Sequence, residues 1–416
     1  MSGADHATRP IEARPPLPPI VWVLSVIAIC VAVGFGIVAP ALPIFARTFG
    51  VGVTAAGLVI SMFAAMRMVS AFGVGRIVDR IGARTVLGTG LVIVAVSSAL
   101  AGLAQSYLQL LLLRGAGGVG SAMFSVAAAS VLANRIPSAV RGRAMSVWSG
   151  SFLLGGVLGP VIGGPLTAIS LRAPFFFYAG TLAVAAVVAF AALPRVPRTI
   201  GTTENDAAAI EGIREAWRLP QFRVALVGSL SQGWATATRS ALVPLFITEA
   251  LLLSEAWGGY ALAIAAAVNA VLLLPMGRFS DDRGRLPVVF LGGTIGMLGM
   301  AALAAPPAMW LMVAAMALLG AGGAAQAVGP SAIMGDVAQG RRGSVIATYQ
   351  VTGDVGTMIG PIVAGGLADL FGFSAGFAAT AVLCAIAAAA ALPYIRSELR
   401  PGAAGTVSEA DGTVAS

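Results

Sequence analysis

The chain has 416 residues, 58% of them hydrophobic and only 10% charged, whereas a soluble domain carries about 25% charged residues. That composition excludes an ordinary water-soluble globule. The formal charge of +8 comes from 25 basic residues, all of them Arg, in short clusters between apolar runs rather than along one continuous face, so membrane topology accounts for them and nucleic-acid binding does not.

Taken in chain order, a Pro-rich tail (1–19) gives way to apolar runs long enough to cross the hydrocarbon core, which takes about 20 residues. They predict helices at 20–46, 54–76, 85–104, 107–133, 142–169 and 174–193, then at 222–249, 256–278, 286–305, 308–335, 343–368 and 373–394. The first run is too long for a signal-peptide core and lacks a convincing small-residue cleavage site, so it is expected to stay as a membrane helix. The expected organisation is a cytoplasmic tail (1–19), a six-helix bundle (20–193), a cytoplasmic linker (194–221), a second six-helix bundle (222–394) and a cytoplasmic tail (395–416). With the N-terminus inside, 20 Arg fall at inner links and tails and two, Arg47 and Arg172, at outer links. The positive-inside rule then places both termini in the cytoplasm, and the expected location is a bacterial inner membrane.

Enzyme chemistry finds no support. Cys30 and Cys384 lie inside apolar runs, where a thiol behaves as a small hydrophobe. His6, the only histidine, lies in the polar tail, which argues against histidine catalysis or zinc ligation. No nucleophile with a base, phosphate loop or metal cluster stands out, and no cofactor is expected.

The two halves resemble each other at constant offset, the mark of a duplicated transporter. Gly75-Arg76-Ile77-Val78-Asp79 recurs as Gly277-Arg278-Phe279-Ser280-Asp281 after the second span of each half. Gly155 and Gly159-Pro160 recur as Gly356 and Gly360-Pro361, and Arg141-Gly142 as Arg342-Gly343.

The segment Gly75 to Arg84 resembles the signature of the major facilitator superfamily, with Gly75, Asp79, Arg80, Gly82 and Arg84 in matching places and Ala83 where a basic residue is usual. Glycines there permit a tight turn with close helix approach, and the resemblance implies a conformational latch on the cytoplasmic side. Gly277 to Arg285 keeps the pattern in degenerate form, with Asp281 and Arg283 in place and Asp282 where Arg would stand. In the fifth span, Gly155, Gly159, Pro160, Gly163 and Gly164 resemble the motif that marks drug:proton antiporters. Glycines four apart also serve plain helix packing. Gly34 to Pro43 resembles the first-span motif of the twelve-helix efflux branch, and Arg114 before Gly117 to Gly120 the fourth-span motif, with Gly117 where Gln is common. The resemblance implies an all-α membrane protein of the major facilitator fold, twelve helices in two pseudo-symmetric six-helix bundles, acting as a monomer in the lipid bilayer.

Charges inside the membrane cost at least about 2.5–3.5 kcal/mol on insertion scales, so each calls for a partner or a wet cavity. Four stand out: Arg67, Arg114, Arg239 and Asp354. Asp354 is the only carboxylate well inside a span, about 15 Å beyond Ser344 at 1.5 Å per residue. It is expected to be the proton-coupling acid, the alternative being a static ion pair that holds helices together. If the family fold holds, the second and eleventh spans meet between the halves, which makes Arg67 its natural partner and Arg114 the second option. Asn269 matches Arg67 at offset 202, where it serves either substrate or packing. Arg239, Gln326 and Gln350 are candidate cavity groups or interhelical hydrogen-bond formers. Phe35, Met62, Met66, Phe152 and Trp234 are candidates for a soft apolar wall.

The resemblances favour proton-coupled efflux of small amphipathic molecules, drugs or metabolites, by alternating access. The first span carries no acidic residue, and three embedded Arg stand against one Asp, so neutral or anionic substrates stay open. An uptake carrier or uniporter for a sugar or organic acid is the second expectation, and a transport-inactive sensor or assembly protein the third.

Overall fold

A computed structural model describes residues 16–194, 206–337 and 343–398. Both outer tails with His6, and the linker and loop arginines Arg195, Arg198, Arg341 and Arg342, lie outside the described residues.

The described residues fold as thirteen α-helices. The first half contains α1 (Pro19–Arg47), α2 (Val53–Ile81), α3 (Ala83–Gly102), α4 (Tyr107–Arg135), α5 (Ser138–Ile169) and α6 (Ala173–Ala192). A linker helix, α7 (Asp206–Arg218), precedes α8 (Pro220–Glu249), α9 (Ala256–Arg283), α10 (Arg285–Ala304), α11 (Met309–Val337), α12 (Gly343–Phe371) and α13 (Phe373–Glu398). Eleven are long and apolar enough to cross a membrane. The twelfth, α8, is 30 residues long, but Gln232, Thr236, Arg239 and several serines dilute its apolar content. Pro19 and Pro220 open their helices at the first helical position, where a missing N–H costs nothing, and the Ser106 hydroxyl caps α4 by accepting from Gln109 N at 3.3 Å.

The structure adds detail to two sequence expectations. The polar stretch 194–221 carries α7, whose Ala207-Ala208-Ala209 run and interspersed Glu and Arg favour helix. It docks on α8 and α12 through a face that includes fully buried Ala216. The second span was expected to end at residue 76, with Gly75 and Gly82 both offered for the turn, but α2 continues to Ile81, and a Cβ at Gly75 would meet nothing within 4 Å. The turn falls at Gly82, and its counterpart at Gly284. Their φ of 88° and 98° with ψ of 147° and 165° is backbone that only glycine enters without strain.

The duplication is written into the packing. In the first half α1 packs on α5 and α6, α3 on α4 and α6, and α2 on α4. In the second, α8 packs on α12 and α13, α10 on α11 and α13, and α9 on α11. The halves meet through α2 against α12 and α5 against α9, two contacts that a twofold rotation exchanges. This is the architecture of parallel-repeat transporters, whose path lies between the halves.

Candidate functional site

The seam between the halves is built from its termini-distal end downward. Asp369, three residues from the start of the α12–α13 turn, sits against the first turn of α2. Its carboxylate accepts from Val53 N at 2.7 Å, Thr54 N at 2.8 Å and Thr54 Oγ1 at 2.5 Å. The free N–H groups and positive end of α2 are thus capped by a carboxylate from the other half. Beside it the Arg47 guanidinium donates to both Glu249 oxygens, at 2.7 and 3.0 Å. With side chains 34% and 32% exposed, that pair contributes about 0–1 kcal/mol, so the cap is the stronger tie.

Small residues bring the backbones together at the same end. A Cβ at Gly57 would lie 2.8 Å from Pro361 O, and one at Gly164 would lie 2.7 Å from Ala256 O and 3.3 Å from Gly259 Cα. The fifth-span glycines therefore divide in two. Gly155, Gly159 and Gly163 face Ala32, Val33, Gly36 and Ile37 on α1, inside their own half, whereas Gly164 and the Pro160 carbonyl face α9 across the seam.

Lower down, α2 and α12 carry the embedded charges that meet. The structure brings Arg67 and Asp354 together: Nη2 donates to the Asp354 carboxylate, linking the halves by an ion pair. Arg67 lies about 21 Å along α2 from Val53, and Asp354 about 25 Å along α12 from Phe371, well below the capped end. The side chains are 36% and 26% exposed, which leaves the pair within reach of water or a ligand.

Arg114, the other candidate partner, does not reach Asp354. It is 4% exposed and lies over the Phe63 ring at 4.5 Å, a cation–π contact that offsets part of its desolvation. Phe35 lies beside Phe63, ring centres 6.1 Å apart, and stays 45% exposed. Met62 and Met66 are half-buried beside Gly115, and Phe152 packs edge-on against Trp148. Asn269 sits beside Gly323 of α11, and Gln350 is exposed.

Two residues expected at the cavity instead tie helices within the second half. Trp234 donates from Nε1 to Thr380 Oγ1 of α13 at 3.2 Å and fills the space under Gly356 and Gly360. Gln326 is 4% exposed and donates from Nε2 to Gly292 O of α10 at 3.0 Å. Gln326→Leu is therefore expected to lower thermal stability by about 1 kcal/mol while leaving transport near the wild-type rate, as checked by melting the purified protein and by vesicle uptake.

At the termini-proximal end, two latch residues, Arg84 and Asp281, make contacts within their own halves. Arg84 donates to Phe190 O of α6, and Arg285 pairs with Asp281 at 2.5 Å and Asp336 at 3.3 Å. Asp79 and Arg283 are exposed. In the main packing of the described residues α4 lies against first-half helices and α11 against second-half helices, while the cross-half cap by Asp369 and the ion pair of Arg47 lie at the termini-distal end.

The cross-half cap, absent from the sequence expectations, has a direct consequence. Asp369→Ala removes a helix cap worth about 0.5–2 kcal/mol and is expected to open that end. Labelling of Met62→Cys by an impermeant maleimide from that side, with Cys30 and Cys384 replaced, should speed up by about tenfold if the cap supplies 1.4 kcal/mol.

Two six-helix bundles joined by a charged seam define a multi-pass membrane transporter. Residues 24–250 and 225–413 match the model of the Major Facilitator Superfamily, and the chain belongs to that family. It is 23% identical over 359 residues to an uncharacterized MFS-type transporter of Methanocaldococcus jannaschii, covering 85% of this chain and 92% of that one. It is 29% identical over 184 residues to the quinolone resistance protein NorA of Staphylococcus aureus, a match spanning 44% of this chain and 47% of NorA. Among solved structures, it shares its fold with a bacterial homolog of the human lysosomal transporter Spinster, in an inward-facing, unoccupied conformation. The TM-score there is 0.78, at 17% identity over 92% of this chain and 98% of that one. The nucleoside transporter NupG superposes with a TM-score of 0.73, at 14% identity over 92% of this chain and 100% of that one.

Proposed function

We propose that this chain exports small amphipathic molecules across a bacterial inner membrane in exchange for protons, as a monomer with both termini in the cytoplasm. The observation that carries this reading is the Arg67–Asp354 pair across the seam. Protonation of Asp354 removes the charge that holds Arg67, so a proton arriving from outside loosens the tie between α2 and α12 and biases the two halves toward their other arrangement. Substrate leaving and proton entering then use one pair of states. The partial match to NorA supports efflux, and the Arg distribution supports the orientation. In that orientation the capped end is outer, and the segments around Gly82 and Gly284 form the latch when the cycle reverses.

The test uses inverted membrane vesicles from cells making the protein. Acidifying the lumen should drive accumulation of a fluorescent amphiphile inside them, and a protonophore should stop it. Uptake that ignores the gradient and stops at equal concentrations on both sides would support a uniporter instead.

A further inference from the structure

Of the three arginines deep inside membrane spans, Arg67 has Asp354 and Arg114 has the Phe63 ring. Arg239 has neither. Its Nε is buried without a hydrogen-bond partner, and no described carboxylate pairs with it. It lies about 15 Å along α8 from Glu249, a depth at which a lone guanidinium facing lipid is unfavourable.

Arg239 belongs to a stripe. Gln232, Thr236, Arg239 and Ser240 fall at i, i+4, i+7 and i+8, one face of α8. Thr236 is exposed and the other three half-buried. Among described residues, the hydrogen bond this face makes is internal, Ser240 Oγ to Thr236 O at 3.0 Å. The other faces of α8 are committed to their own half. Ser229 donates to Tyr349 O, Ser231 meets Cys384, Trp234 meets Thr380, and Gly228 lies against Pro330. The stripe is the face these ties leave uncommitted, and α8 also approaches α1 and α2 across the seam.

We infer that this stripe is the polar wall of the substrate path and that Arg239 is the binding group for a carboxylate or similar anion on an otherwise apolar substrate. The inference rests on the transport reading and fixes the sign of the substrate's charge. The guanidinium supplies paired donors to a planar anion, the Gln232 amide and Thr236 hydroxyl add neutral donors and acceptors on the same face, and bound anion replaces the missing counter-charge. Binding also occurs away from Asp354, so substrate and proton occupy separate groups on α8 and α12.

Three probes with one ring system test it by calorimetry on the purified full-length protein: 1-naphthoate, 1-naphthamide and 1-naphthylmethylammonium. Naphthoate is expected to bind at least about tenfold more tightly than the amide, the ratio a hydrogen-bonded charge confers. Arg239→Gln should remove that advantage and Arg239→Lys should restore part of it, while both variants keep the wild-type melting temperature or rise above it. Amide or ammonium binding as tight as naphthoate, naphthoate affinity unchanged in Arg239→Gln, or no naphthoate binding overturns the inference. Gradient-driven uptake of the ammonium probe together with any of these would leave the export reading standing and the anion site refuted.

Discussion

Asp354→Asn is expected to reduce pH-gradient-driven transport to the level of empty vesicles while leaving a folded protein. The amide keeps the shape and the ability to accept from Arg67 but cannot cycle between charged and neutral forms. Breaking a fully buried pair costs about 3–5 kcal/mol, but these side chains are 36% and 26% exposed, so solvent screening holds the stability loss well below that figure. The double variant Arg67→Gln with Asp354→Asn separates the two roles open to the pair. It removes both charges and leaves no uncompensated ion. If the pair only holds α2 and α12 together, the neutral double variant transports; if Asp354 couples protons, its stability returns and its gradient-driven transport does not. Substrate exchange at equal pH on both sides reports on binding and the conformational change without coupling, and is expected to survive in Asp354→Asn.

Two substitutions in the glycine run of α5 are expected to fail in different ways. Gly159 faces α1 within its own half, where a Cβ would lie 2.6 Å from Gly36 Cα and 2.6 Å from Val33 O. Both are backbone atoms, so Gly159→Val forces α1 and α5 apart in every state, an overpacking penalty of about 1–3 kcal/mol, and the melting temperature falls. Gly164 faces α9 across the seam, a contact that the proposed cycle makes in one arrangement of the halves and breaks in the other. Gly164→Leu therefore penalises only the arrangement closed at the Asp369 end. It should keep a near-normal melting temperature, lose transport, and label faster at Met62→Cys from that side. Equal melting penalties in the two variants would show that the α5–α9 contact is not part of the moving surface.

The fold was legible because its causes are local and repeated. Apolar run length fixes each membrane helix, and the matches at constant offset between Gly75 and Gly277, or Gly155 and Gly356, announced two related halves before any contact was known. Arg67 and Asp354 stood out because an ionised group in hydrocarbon needs a partner, and few were available. The errors have equally physical origins. Polar residues from Arg76 to Arg80 read as a loop, yet a helix leaving the bilayer continues as far as its backbone permits, and it ends at Gly82, where φ turns positive. Trp234 read as a cavity wall, and Gln326 stayed open between cavity and interhelical tie, because their chemistry suits either a ligand or a neighbouring helix; which one applies depends on rotation of α8 and α11 about their axes, and a single chain carries no direct record of it. The cap by Asp369 was invisible for a stronger reason. A carboxylate at the end of a span looks like a solvated terminus, and its partner amides belong to Val53 and Thr54, more than 300 positions away. The stripe on α8 was within reach. The spacing of Gln232, Thr236, Arg239 and Ser240 is helical, and reading it as one face, rather than Arg239 alone, would have found it.

The central claim is that substrate and proton cross in opposite directions through one seam tied by Arg67 and Asp354. Its most direct test is proton movement itself, in proteoliposomes loaded with a pH-sensitive dye and holding a saturating substrate on one side only, with no imposed pH gradient. The account predicts that substrate flowing down its gradient drives protons the opposite way in the wild type, and that Asp354→Asn abolishes the proton signal. Substrate flux in the wild type with no accompanying proton movement, or an undiminished proton signal in Asp354→Asn, would contradict it.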